Sequence, residues 1–129
     1  MIAAAVIGAG ILGTLLRFLV SRAFAGRRFP WAVLVVNVAG SLVGGVLLGA
    51  TSGDLRLILL TGFCGGLTTF STFSVETIQL LQERGPRGRK GAVPEAGRSF
   101  SGRSIALLSV AANLVMGIGA AALGFALTR

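Results

Sequence analysis

Four long stretches of the chain contain no charged residue, and they constrain the fold more than any other feature. They cover residues 2–16, 29–53, 57–75 and 104–128. The hydrocarbon core of a bilayer is about 30 Å thick, and a helix of about 20 apolar residues spans it. Charged residues make up 12% of the chain, whereas soluble domains carry about 25%. The pattern predicts an integral membrane protein and argues against a soluble or disordered chain.

Each stretch is long enough for one spanning helix if the helix can extend past a charged residue at its end. The first helix continues past Arg17, and the third continues through Glu76. An open β-sheet cannot lie in lipid, and the stretches lack the two-residue alternation of strands. We therefore predict one all-α membrane domain. Its helices cover about residues 2–22, 30–53, 57–81 and 104–127.

Basic residues lie almost entirely on one side of these four helices. The loops after the first and third helices carry Arg22, Arg27, Arg28, Arg84, Arg87, Arg89, Lys90, Arg98 and Arg103, and the opposite side carries Arg56 and Arg129. Lys and Arg accumulate in cytoplasmic loops of membrane proteins. The pattern predicts a basic cytoplasmic loop at 84–103 and both termini outside. It also explains the net charge of +8 without a nucleic-acid partner.

The supply of reactive side chains argues against an enzyme. The chain has no histidine, no tyrosine and one cysteine, Cys64. Its four acids are Asp54, Glu76, Glu83 and Glu95. Residues 8–13 match the glycine pattern of dinucleotide-binding turns. That chemistry also needs an acidic residue about 20 positions later, and none is present, so we predict no nucleotide site.

The third stretch is rich in glycine and hydroxyl side chains where a membrane helix should be apolar. It reads Gly65-Gly66-Leu67-Thr68-Thr69-Phe70-Ser71-Thr72-Phe73-Ser74-Val75-Glu76. Glycine and threonine are weak helix formers, so we predict a break near residues 65–69. A break frees backbone carbonyls, which lipid cannot satisfy. Such carbonyls suit a small hard cation such as Na⁺.

Two further polar features lie at membrane depth. Phe70 and Phe73 share one helix face, and the hydroxyls of Ser71 and Thr72 lie beside them. Asn37 lies well inside the second stretch, where its amide must find hydrogen-bond partners. It either bridges two helices or donates to an anion in a water-filled pore. Small residues also recur four apart, as at Gly45 and Gly49, which predicts close helix packing.

These segments together resemble the small fluoride channels of the Fluc or CrcB family. The resemblance covers the whole chain. It includes Gly10-x-x-Gly13-x-x-x-Arg17, Asn37-Val38-Ala39-Gly40-Ser41 and the long motif of the third helix. The chain departs from the family in the fourth helix, where Asn113 stands at a position that usually holds serine.

The resemblance implies an antiparallel dimer in the plasma membrane with two fluoride pores. It places Asn37, Phe70 and Phe73 in the pore. It also implies a structural Na⁺ ion, held at the dimer interface by the backbone carbonyls of Gly65 and Thr68. From the residues themselves, Ser71 and Thr72 add hydroxyl donors. Ring edges carry partial positive charge that favours an anion.

Two other functions are compatible with four small membrane helices. A proton-coupled multidrug exporter needs a carboxylate within the membrane, and Glu76, near a helix end, is its one candidate. A non-transporting membrane subunit would not need the hydroxyl-rich break. The uneven distribution of basic residues also leaves two dimers open. The partner is either a second copy or a homologous chain of opposite orientation.

Overall fold

The computed structural model describes residues 1–27, 29–82 and 102–129, and these ranges are helical without any strand. Four helices are long and apolar enough to cross a membrane. They are α1 (Ile2–Ala23), α2 (Trp31–Ala50), a third span over Gly53–Gln82, and α6 (Gly102–Ala126). The predicted all-α membrane class is confirmed. Arg28 and most of the basic loop predicted at 84–103 lie outside the described residues.

The third span is interrupted, as predicted, and its first half is not a regular α-helix. It begins with α3 (Gly53–Leu57), continues as a π-helical segment (Ile58–Cys64) and ends with α4 (Gly65–Leu67). After the break, α5 (Phe70–Gln82) continues the span. Thr68 adopts extended backbone angles, φ −76° and ψ 156°. The break therefore falls at Thr68–Thr69, and the adjacent glycines before it stay helical.

The two halves of the third span pack against different helices. The half before the break packs on α1, whereas α5 packs on α6. Near the end of α5, Leu80 is buried with Ile105 and Ala106 of α6. The break thus carries the third span from one neighbour to the other.

Glycines bring these helices together backbone to backbone. In the α2–α6 pair, a Cβ atom on Gly45 would overlap the carbonyl oxygen of Ala121, and one on Gly124 would overlap that of Leu42. On α1, a Cβ on Gly13 would overlap the carbonyl oxygen of Phe63. Small residues allow such close approach in membrane bundles.

Large apolar side chains lie mostly on the outside of the bundle. Leu107, Val115 and Ile118 are examples of α6 side chains that are more than half exposed. In water this distribution would cause aggregation. In lipid it is the expected arrangement, because hydrocarbon solvates these side chains.

Replacement of Gly124 by alanine should destabilise the bundle, since the added methyl group meets the backbone of α2. Forced overpacking typically costs about 1–3 kcal/mol. Gly119→Ala is the matched control, because a Cβ at Gly119 meets nothing within 4 Å. Thermal unfolding in detergent should show a lower midpoint for Gly124→Ala alone. Equal midpoints for the two variants would contradict the packing described here.

Candidate functional site

The amide of Asn37 replaces hydrogen bonds that the third span loses at its break. The backbone N–H of Thr69 donates to Asn37 Oδ1 over 2.9 Å. In return, Asn37 Nδ2 donates to the carbonyl oxygen of Thr69 over 3.4 Å. In a continuous α-helix the Thr69 N–H would donate to the carbonyl of Gly65, four residues earlier. Asn37 therefore diverts that donor from Gly65.

The side chain of Thr69 caps the second half of the span. Its Oγ1 accepts the backbone N–H of Thr72 over 3.2 Å, which is the usual bond of a helix N-cap. In a continuous helix this N–H would donate to the carbonyl of Thr68. Thr69 is buried, with 7% of its surface exposed. The cap therefore lies inside the protein.

Two carbonyl groups lose their helical donors as a result. They belong to Gly65 and Thr68, the same two residues that the resemblance to the fluoride channels implies as Na⁺ ligands. Gly65 is exposed and Thr68 is half-buried. Thr68 itself turns back, and both its N–H and its hydroxyl donate to the Cys64 carbonyl over 2.9 Å. The carbonyl groups of Gly65 and Thr68 are thus left for another partner.

A cavity of about 360 Å³ opens beside the break. It is lined by Asn37, Ser41, Thr68, Thr69, Phe70, Phe73, Asn113 and Leu114. The structure thus brings together three of the predicted pore residues, Asn37, Phe70 and Phe73. The lining contains no carboxylate and no basic side chain.

The remaining predicted pore residues, Ser71 and Thr72, lie outside this lining on the exposed surface of α5. The two phenylalanine rings stand 6.3 Å apart between centroids, at an angle of 43°. Phe70 as a whole residue is 81% exposed. The cavity is therefore an open trough rather than a closed channel.

Asn37 bridges helices, which is one of the two alternatives that the sequence left open, and it also lines the cavity. Its Nδ2 also donates to Asn113 Oδ1 over 3.0 Å. Asn113 in turn donates from Nδ2 to the carbonyl of Ser109 over 2.9 Å. These bonds connect α2, the break and α6. The hydrogen bond between Asn37 and Asn113 was not predicted, because its only sequence signal was a second amide at membrane depth.

The first turn of α5 is a second feature that sequence reasoning missed. It begins at Phe70, which lines the cavity. The first N–H groups of a helix have no acceptor within the helix, and its N-terminus carries partial positive charge. Threonine at 69 followed by hydroxyl residues was the available signal, since threonine is a frequent N-cap.

Side chains of the described residues do not form a metal site. No group of three or more His, Cys, Asp or Glu residues within those ranges comes close enough to hold a metal ion. Backbone oxygens are the ligands that remain near the break. Hard cations such as Na⁺ are bound by such carbonyls in broken membrane helices.

Comparisons with known proteins agree with this architecture. The family described as CrcB-like protein, Camphor Resistance (CrcB), matches residues 4–125. A protein of Rhodococcus jostii (strain RHA1) named fluoride-specific ion channel FluC 2 is 42% identical over 121 residues, covering 92% of this chain and 91% of the relative. A fluoride-specific ion channel FluC of Agrobacterium fabrum (strain C58 / ATCC 33970) is 36% identical over 129 residues, covering 93% and 90%. The chain belongs to the CrcB family of membrane proteins.

Proposed function

We propose that the chain is a subunit of a fluoride-selective channel, not an enzyme, and that it lets fluoride leave the cell passively. The observation that carries this proposal is the uncharged, amide-lined cavity at the helix break. The names of the relatives, fluoride-specific ion channels, support the choice of ion. In a plasma membrane, such a channel lowers the fluoride concentration of the cytoplasm.

The cavity offers the hydrogen-bond donors that a dehydrated small anion needs. Fluoride holds water strongly, so a pathway must replace that water with donors from the protein. The N–H of Asn113 that does not bond to Ser109 and the first turn of α5 lie at the cavity. Asn37 already uses both of its N–H groups, so it can donate to fluoride only by giving up its long 3.4 Å bond to the Thr69 carbonyl. Ring edges of Phe70 and Phe73 add weaker positive potential. Without a full positive charge, binding stays weak enough for release, as conduction requires.

The open side of the cavity supports a dimer, whose antiparallel arrangement is implied by the resemblance to the fluoride channels. Phe70 is largely exposed, and Ser71 and Thr72 present hydroxyls on the same exposed half of the span. Lipid is a poor solvent for hydroxyls at this depth, whereas a second subunit can cover them. In the dimer, Ser71 and Thr72 then join Phe70 in lining a closed pathway.

A structural Na⁺ ion at the dimer axis is the second part of the proposal. The carbonyls of Gly65 and Thr68 fit this ion, because Asn37 and Thr69 take up the N–H groups that would otherwise bond to them. Two such chains would supply four oxygens across a two-fold axis. When bound, the ion holds the two subunits together at their breaks.

A proton-coupled exporter is the second candidate, and one observation favours it. Glu76 Oε2 is buried and has no hydrogen-bond partner among the described residues, as a proton-exchanging carboxylate could be. Glu76 does not line the cavity, however. A non-transporting subunit is the third candidate, and that role does not explain the two amide side chains in the cavity.

Purified protein in liposomes loaded with fluoride distinguishes these functions. A channel should release fluoride when the charge is balanced by a potassium ionophore, with no pH gradient. A drug-dependent proton flux would support the exporter instead. Protein that incorporates as folded dimers but carries neither flux would support the non-transporting subunit.

Replacing either cavity phenylalanine should slow fluoride release while leaving the dimer intact. Phe70→Ile and Phe73→Ile remove the aromatic edge but keep an apolar side chain of moderate size. Phe125→Ile is the control, because Phe125 lies in α6 outside the cavity and packs under Arg129. We expect a loss of about tenfold or more in the two cavity variants, comparable to the loss of one good contact. Equal release rates in all three variants would mean that the rings of Phe70 and Phe73 only pack and do not assist fluoride.

Removal of Na⁺ should reduce both fluoride release and the fraction of dimer. Replacement by Li⁺ or by N-methylglucamine tests this, because neither matches the size of Na⁺. Flux should recover when Na⁺ is returned, and the dimer should reappear on a size-exclusion column. Unchanged flux and unchanged dimer in thoroughly Na⁺-free buffer would rule out the ion.

The orientation proposed for this chain follows from its basic loops. We place both termini outside and the loops after the first and third helices in the cytoplasm. An antiparallel partner must then insert the opposite way. We propose that the partner in the cell is a homologous chain with the reverse charge bias, rather than a second copy.

Cysteine labelling in intact cells tests the orientation. Single cysteines at Ala92 and at Thr51 sample opposite sides, after Cys64 is replaced by alanine. An impermeant thiol reagent should label position 51 and spare position 92. Equal labelling of both would mean that one sequence inserts both ways, and a homodimer would then suffice.

A further inference from the structure

Asn113 occupies the centre of a chain of amide hydrogen bonds that ends at the break. Its Nδ2 donates to the carbonyl of Ser109, one turn earlier on α6, over 2.9 Å. Its Oδ1 accepts from Asn37 Nδ2 over 3.0 Å. The amide of Asn37 then meets the backbone of Thr69. One side chain of α6 is thus linked to the break by hydrogen bonds through a side chain of α2.

The order of donors and acceptors in this chain admits one arrangement. Only the NH₂ group of Asn113 can donate to the Ser109 carbonyl, so its Oδ1 must face Asn37. Asn37 must therefore present its NH₂ group to Asn113, which leaves its Oδ1 for the Thr69 N–H. Both ends of the chain of bonds select the same orientation of Asn37.

Asn37 needs such an anchor because its terminal torsion is soft. The χ2 angle of asparagine has a broad distribution, and the bond from Asn37 Nδ2 to the Thr69 carbonyl is long at 3.4 Å. The bond to Asn113 is shorter at 3.0 Å. Without it, the amide plane of Asn37 can rotate away from Thr69. The Thr69 N–H would then lose its acceptor and turn back toward the carbonyl of Gly65.

We propose that Asn113 is a positioning residue of the helix break. It holds Asn37 against Thr69 and thereby keeps the Thr69 N–H away from the Gly65 carbonyl. This role rests on the proposed channel function only for its effect on flux, since the hydrogen bonds themselves do not depend on the transported ion.

Amide hydrogen exchange at Thr69 tests the proposal without reference to transport. Asn113→Leu keeps the size of the side chain but removes both hydrogen bonds. We expect NMR of the protein in nanodiscs to show exchange at Thr69 rising about tenfold, as expected for one lost buried bond. Exchange at Thr77, farther along α5, should stay unchanged. Leu114→Ala is the control, because Leu114 lines the same cavity without taking part in these bonds.

A second variant covers the case in which Asn113→Leu fails to fold. Serine ends one bond earlier than asparagine, so its hydroxyl stands about 1.2 Å farther from Asn37. Asn113→Ser should therefore also speed exchange at Thr69, by a smaller factor. Unchanged exchange at Thr69, or an equal rise at Thr77 and Thr69, would overturn the proposal.

Fluoride flux from the same samples separates the two hypotheses. Faster Thr69 exchange together with reduced flux supports both. Faster exchange in a protein whose unmodified form carries no fluoride supports the positioning role and refutes the channel. Normal exchange in a variant of a conducting protein refutes the positioning role alone.

Discussion

The structure depends on how one interrupted helix satisfies its backbone inside lipid. Hydrocarbon offers no hydrogen bonds, so every N–H and C=O group near Thr68 and Thr69 needs a partner in the protein or in a bound ion. Asn37 and the Thr69 hydroxyl supply partners for two N–H groups. The same two side chains deprive the carbonyls of Gly65 and Thr68 of their helical donors. A device that stabilises the break thus also creates oxygens suited to a cation.

The break also gives its two halves opposite electrostatic character. The end of the first half presents carbonyl groups, whereas α5 begins with N–H groups at its positive end. One helix break can therefore bind a cation through its carbonyl groups and an anion through its N–H groups, without any charged side chain. The change of packing partner, from α1 to α6, brings α5 against the α6 face that carries Asn113. Glycines at positions such as 13 and 124 make this geometry possible by letting backbones meet.

The sequence predicts features that repeat or that lie in long motifs. Uncharged stretches are sufficient for the membrane class and the number of helices, and the Gly65–Glu76 motif is sufficient for the break. Details that depend on contacts between distant segments were not predictable. The π-helical segment Ile58–Cys64 packs on α1, and no local pattern in its sequence predicts it. The tie between Asn37 and Asn113 joins residues 76 positions apart, and no local pattern reveals their register.

The hydrogen bonds at the break can form in the order in which the helices are synthesised. A ribosome delivers α2 before the third span, so Asn37 is already in the membrane when Thr69 emerges. The interrupted span can therefore leave the translocon as a hairpin with α2, whose amide covers its exposed N–H at once. Asn113 arrives last, with the final helix, and fixes an arrangement that already exists. A gene that encoded the third span before α2 would leave the Thr69 N–H without this acceptor until α2 was made.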